Sequence, residues 1–186
     1  FLMNLVIVRQ IGAYEAGIFF LCLAAISFLA NIGRLGLDKS VVRFVSVANS
    51  GEDRASVHLI YRKALLWVTF SCVTFGVLLF IFKGPISEKV FGKPFLEPVL
   101  TLMAFAVPLV GLYTLHASSL QGLKRIAPAM ATLSLVVPFI TLLALLAFGA
   151  SNAVDTAEIY LAACALTLCV GYFAWYRSTP RVKAEG

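Results

Sequence analysis

The chain has 186 residues, 61% of them hydrophobic and only 13% charged, with a formal net charge of +6. A water-soluble domain carries about 45–50% apolar and about 25% charged residues, so the composition excludes a soluble globular protein. The basic residues sit at the ends of apolar runs rather than in a stripe, which excludes a nucleic-acid surface and fits topology signals and anionic lipid headgroups.

In chain order, Phe1 to Val8 is an apolar stub. It is too short to span and lacks the basic leader of a signal peptide, so it reads as the end of a truncated first helix. Gly12 and Gly17 bracket the first short loop. A second helix is predicted from Gly17 to Leu37, a third from Ala64 to Phe82, a fourth from Pro98 to Gln121, a fifth from Ile126 to Phe148 and a sixth from Ile159 to Tyr176. Each approaches the ~20 residues that a helix needs to cross a hydrocarbon core of roughly 30 Å. The third is the clearest, with no charge between Lys63 and Lys83. The expected fold class is all-α: a polytopic membrane helix bundle of about six transmembrane helices, the first truncated, forming one unit over residues 1–186.

Alternation of the helices sorts the cations. Arg34, Lys39, Arg43, Arg54, Arg62, Lys63, Lys124, Arg125, Arg177, Arg181 and Lys183 fall on one side, and Arg9, Lys83, Lys89 and Lys93 on the other, accounting for all 15. The richer side is expected to be cytoplasmic. Residues 39–48 read as an amphipathic cytoplasmic elbow, and 86–95, with Ile86, Val90 and Phe91 at helical spacing, as a short interfacial helix. Trp67, Trp175, Tyr14, Tyr61, Tyr160, Tyr172 and Tyr176 lie near predicted helix ends, where amphipathic rings prefer headgroup level. Cys22, Cys72, Cys164 and Cys169 lie inside apolar runs without metal-ligand spacing and read as small buried hydrophobes.

Three local patterns add to hydropathy: Arg9-Gln10-Ile11-Gly12 followed by Gly17-Ile18-Phe19; Leu35-Gly36-Leu37-Asp38 followed by Val42-Arg43-Phe44-Val45; and Leu120-Gln121-Gly122 followed by Lys124. In this order and at these separations the chain resembles the N-terminal half of the polysaccharide (O-antigen) flippase family. That family belongs to the superfamily of multidrug, oligosaccharidyl-lipid and polysaccharide exporters. The resemblance implies one lobe of a two-lobe exporter, with the C-terminal lobe absent from this chain. It implies alternating-access flipping of a polyprenyl-diphosphate-linked oligosaccharide across the inner (cytoplasmic) membrane, for lipopolysaccharide or other cell-surface polysaccharide. The implied partners are the lipid-linked oligosaccharide, the bilayer and the second lobe, with no nucleic acid and no cofactor.

A diphosphate-sugar headgroup crossing a low dielectric asks for cations against the phosphates and polar groups in place of water. Arg34 is the first candidate, because an intramembrane charge is a functional hypothesis by default. Asn31 precedes it by three residues and Asp38 follows by four, which puts the three on one helical face. Arg34 reads either as a phosphate-contacting cation near the cytoplasmic mouth or as an arginine snorkelling to the inner headgroups, paired with Asp38. Asp38 and Arg43 read as a cap and anchor shaping the helix exit, or as a gate pair. Gln121 is a candidate for sugar hydroxyls, with Lys124 beside it. His116 reads as a helix-packing donor or a titrating group. Pro108 and Pro138 each remove a helical hydrogen bond and are hinge or static-kink candidates. Gly76, Gly111 and Gly171 are expected to permit close helix approach.

The residues show no catalytic constellation and no metal-ligand cluster, so the chain reads as a non-enzyme. A membrane sugar transferase would need acidic or histidine residues gathered at one membrane face. The alternative function is a cation-coupled small-molecule (multidrug-type) exporter of the same superfamily, which would prefer a buried acidic residue. A non-transporting scaffold is the remaining reading.

Overall fold

The computed structural model describes residues 2–51, 54–92 and 94–179. The expectations placed on Phe1, Lys93, Arg181 and Lys183, and on the side chains of Arg54 and Val90, lie outside the described residues. The regular elements are all helical: α1 (Leu2–Gly33), α2 (Leu37–Ser50), α3 (Arg54–Pro85), a π-helical turn (Ile86–Val90), a 3-10 turn (Pro94–Leu96), α4 (Glu97–Gly122), α5 (Ile126–Met130), a second π-helical turn (Ala131–Leu135), α6 (Val136–Phe148) and α7 (Ala153–Ser178). Among the described residues five stretches are long and apolar enough to cross a membrane: Leu2–Gly33, Ser56–Lys89, Glu97–Gly122, Ile126–Phe148 and Ala153–Ser178. The chain thus forms the all-α membrane bundle that its hydropathy predicts.

The expected count of six changes at one place. The stub and the second predicted helix form the single element α1, interrupted at Gly12 (φ 81°, ψ 164°) and continuous through Gly17. That backbone region is open essentially to glycine alone, so one residue makes the bend where the sequence pattern asks for a loop. The bend is tied to the α6–α7 junction. Gln10 Nε2 donates to the Leu145 carbonyl at 2.9 Å, and the Ala153 N–H donates to Glu15 Oε2 at 2.9 Å. At the start of α7, Asn152 Oδ1 accepts from the Asp155 N–H at 2.8 Å while the Ser151 N–H donates to Asp155 Oδ2 at 2.9 Å. These bonds satisfy donors that a helix start leaves open and explain why the helix begins six residues before Ile159.

Helix α4 is the most buried span, with α1, α2, α3 and α7 packed around it. Small residues make this possible. A methyl group on Gly76 would stand 2.8 Å from the Ala104 carbonyl oxygen, one on Gly111 would overlap Cys72 Sγ, and one on Gly171 would press on His116 and Thr132. The close approach expected at these three glycines is therefore present. Gly122 does the same against Val45 of α2. The elbow expected at 39–48 is α2, which buries Val41 and Val45 and leaves Lys39 and Arg43 exposed.

One expectation is corrected, at Cys169. Of the aromatic residues near helix ends, Tyr61, Tyr160 and Trp175 are buried between helices, while Tyr14, Trp67, Tyr172 and Tyr176 are exposed. The Tyr61 ring stacks on Trp175 at 4.4 Å, and such stacking adds to the area the rings bury. Cys22, Cys72 and Cys164 are buried, but Cys169 is exposed on the outer face of α7.

Residues at the helix ends confirm the alternation. Tyr61 of α3, His116 of α4 and Trp175 of α7 meet at one end. At the other, Lys83 Nζ lies 3.4 Å from Glu97 Oε1 and donates to Thr101 Oγ1 at 3.1 Å. The first end carries exposed Arg43, Arg62, Lys63, Lys124, Arg125 and Arg177; it is called the basic end below.

Candidate functional site

The predicted helix Gly17–Leu37 stops early. α1 ends at Gly33, and α2 begins at Leu37 after a turn in which Leu35 (φ 51°) and Gly36 (φ 70°) are both left-handed. The Leu35 N–H donates to the Ile32 carbonyl and the Leu37 N–H to the Arg34 carbonyl, both at 2.8 Å. The reason the helix breaks is local: leucine and glycine follow one another in a conformation that a right-handed helix cannot contain.

The depth of this break is decided by packing. A methyl group on Gly33 would stand 2.8 Å from Cys72 Sγ, the same sulfur that faces Gly111 of α4. Cys72 lies nine residues from Lys63 and eleven from Lys83 along α3, about 14 and 16 Å of helix. The break therefore lies level with Cys72, beside the uncharged interval of α3. Irregular backbone at that depth occurs where protein buries it or where it lines an aqueous path, and broken helices in transporters present their ends to substrate groups.

Arg34 is buried, at 8% exposure. Its Nε donates to Asp38 Oδ2 at 2.7 Å, and an Nη donates to Asn31 Oδ1. Arg34 caps the carbonyl end of α1 and Asp38 occupies the first turn of α2, each on the favourable pole of its helix dipole. The contact is a single Nε–Oδ2 bond rather than a two-bond fork, and Asp38 Oδ1 is buried with no hydrogen-bond partner among the described residues. Asn31 is exposed, on the α1 stripe that also exposes Ala24, Ser27 and Phe28. Asn31 thus stands between the guanidinium and the open face of α1.

This arrangement changes the sequence reading in one respect. Asn31, Arg34 and Asp38 do converge, but across a break rather than on one helical face. Arg34 is paired with Asp38 as expected, and its other side-chain partner is Asn31.

The model for polysaccharide biosynthesis proteins matches residues 1–183. The chain belongs to the polysaccharide biosynthesis protein family. No curated protein and no solved structure matches it. Membership of this family and the helical membrane fold describe a multi-pass membrane protein and point to a transporter-type role in polysaccharide export rather than catalysis. Among the described residues of this family member, no three His, Cys, Asp or Glu side chains gather to hold a metal ion.

The other candidates of the polysaccharide biosynthesis protein lie apart from the break. Gln121 and Lys124 end α4 ten or more residues beyond Gly111, about 15 Å along the helix. Lys124 is exposed at φ 60°, with its N–H on the Gln121 carbonyl (2.9 Å) and the Arg125 N–H on the Leu120 carbonyl (3.0 Å). This is a Schellman-type helix end with lysine where glycine is usual. The Leu120-Gln121-Gly122 pattern therefore has a structural reason: Gly122 admits α2, and Lys124 closes the turn. Arg43 is exposed on α2 and is not the partner of Asp38.

Pro108 removes the N–H that would reach the Ala104 carbonyl, and Gly76 of α3 packs against that same carbonyl and against Pro108 Cδ. Pro138 lies just after the π-helical turn Ala131–Leu135, where a widened helix absorbs a missing bond. His116 Nδ1 lies 2.6 Å from the Leu112 carbonyl and Nε2 lies 3.0 Å from Tyr61 Oη. A carbonyl only accepts, so Nδ1 carries the proton and Nε2 accepts from tyrosine. Among the described residues no carboxylate touches His116. Gly33 is the position sequence reasoning missed; its signal is its place one residue before an intramembrane arginine.

Proposed function

We propose that this chain is one lobe of an exporter that flips a polyprenyl-diphosphate-linked oligosaccharide across the cytoplasmic membrane for cell-surface polysaccharide, of the O-antigen or lipopolysaccharide type, with the basic end in the cytoplasm. The observation that carries the reading is Arg34, a buried cation held at a helix break beside the uncharged interval of α3. A charge there is costly unless it meets an anion, and a diphosphate is the anion this family's chemistry supplies.

In this reading Asp38 holds the guanidinium while the path is empty, and a phosphate takes its place when substrate arrives. The one-bond Arg34–Asp38 contact leaves other guanidinium donors for phosphate oxygens. Asn31 swings aside and then serves a sugar hydroxyl. Exposed Lys124, Arg43 and half-buried Gln121 receive the headgroup at the basic end, and Pro108 with Pro138 lets the lobe bend. A second lobe completes the path.

The test is complementation of a flippase-deficient strain by the full-length protein, scored as surface glycan, with membrane abundance measured beside it. Wild-type rescue with loss of rescue in an Arg34→Ala, Asp38→Asn double variant of normal abundance supports the proposal. Rescue by that variant removes Arg34 from the path, and no rescue by the wild type, with drug export in its place, overturns the function.

A further inference from the structure

A second feature lies on a different face of the bundle. Helices α3, α4 and α7 enclose a laterally open groove of about 670 Å³ that none of α1 or α2 lines. Its size falls within the range of about 300–1,000 Å³ typical of small-molecule sites. The walls are apolar, from Leu65, Leu112, Leu168 and Phe173. Two of its polar side chains, Tyr61 and His116, bond to each other. An alkyl chain suits such a slot.

The open end has the opposite character. Arg62 precedes Leu65 and Thr69 by three and seven residues on α3, and Arg177 follows Cys169 and Phe173 by eight and four on α7. These spacings carry each arginine on the helix stripe that walls the groove. Because α3 leaves the basic end and α7 returns to it, both arginines stand at the same mouth, where Tyr61 and Trp175 already join the two helices. Both are exposed. The one described carboxylate in this half of the bundle is Asp38, which is engaged by Arg34. Apolar walls below two guanidiniums that have no ion-pair partner among the described residues complement a single anionic phosphate on a hydrocarbon tail.

We infer that the α3–α4–α7 groove is a binding site for an anionic glycerophospholipid of the leaflet at the basic end, its tail along Leu65 and Phe173 and its phosphate between Arg62 and Arg177. The site is separate from the Arg34 break.

Cys169 lines the groove and is the one exposed cysteine of four, which makes it a reporter. The full chain, bimane-labelled at Cys169, is placed in nanodiscs containing equal mole fractions of bromine-tailed phosphatidylglycerol or bromine-tailed phosphatidylcholine. Quenching at least about fivefold stronger by phosphatidylglycerol is expected, and the Arg62→Gln, Arg177→Gln double variant should quench equally with both lipids. Native mass spectrometry of unlabelled protein, retaining one phosphatidylglycerol in wild type and none in the double variant, guards against the label filling the groove. Equal quenching by both lipids in the wild type would show an ordinary lipid-facing surface and overturn the inference. Absence of quenching by either, with no retained lipid, would show that protein covers the groove and also overturn it. Displacement of phosphatidylglycerol by equimolar undecaprenyl diphosphate would reassign the groove to a substrate tail. None of these readings depends on transport, so they stand or fall apart from the flippase proposal.

Discussion

Arg34 Nε and Asp38 Oδ2 lie 2.7 Å apart across the break between α1 and α2, and this one bond joins the end of one helix to the start of the next. Removing Arg34 alone strands a carboxylate beside buried Cys72. Breaking a fully buried pair costs about 3–5 kcal/mol; the Asp38 side chain is 28% exposed, so about 2 kcal/mol is expected here. Arg34→Ala should therefore lower membrane abundance, and Arg34→Ala with Asp38→Asn should restore it without restoring surface glycan. Immunoblots of membrane fractions beside glycan staining check both halves.

Gly33 and Gly36 flank the break for different reasons. A side chain at Gly33 meets Cys72 Sγ, whereas at Gly36 nothing lies within 4 Å and only the left-handed backbone objects. Gly33→Ala should destabilise by about 1–3 kcal/mol through overpacking and be relieved by Cys72→Ala. Gly36→Ala should cost about 1 kcal/mol and gain nothing from Cys72→Ala. A double-mutant cycle on detergent melting temperatures separates the two, and equal relief would contradict the geometry.

Lys124 holds the left-handed position of the α4 terminus. Lys124→Gly should leave the fold equal or more stable, by about 0.5–1 kcal/mol. If Lys124 receives the substrate headgroup, the same variant transports less at low substrate and normally at high substrate. Unchanged transport at every substrate level leaves the lysine a turn residue only.

The two ends of the bundle give an orientation test. In a variant with all four cysteines replaced by alanine, Lys124→Cys should react with a membrane-impermeant maleimide only after the cells are opened, and Lys89→Cys should react in intact cells. The reverse pattern would invert the basic end.

Much of this protein was legible from residue order. The uncharged interval between Lys63 and Lys83 can only be a helix in lipid, because unpaired backbone groups are intolerable there, and it predicts α3 without tertiary information. The same holds for α4, for the Ile126–Phe148 span and for the amphipathic α2. Asn31, Arg34 and Asp38 were also legible as a group, since spacings of three and four residues bring side chains together whether the helix continues or turns.

What residue order could not decide was depth and neighbourhood. Hydropathy averages over a window, so it carries the helix through Gly33 to Leu37; only the tertiary structure shows that it stops at Gly33, where Cys72 packs between Gly33 and Gly111. The burial of Tyr61 and Trp175, and the separation of Gln121 and Lys124 from the break, depend on which helix stands beside which. Sequence determined that this chain lives in a bilayer and which residues are polar enough to matter there, because transfer from water to hydrocarbon is a property of the residues themselves. Tertiary structure decided where those polar groups stand, because close packing between helices is set by shape, residue against residue across the bundle.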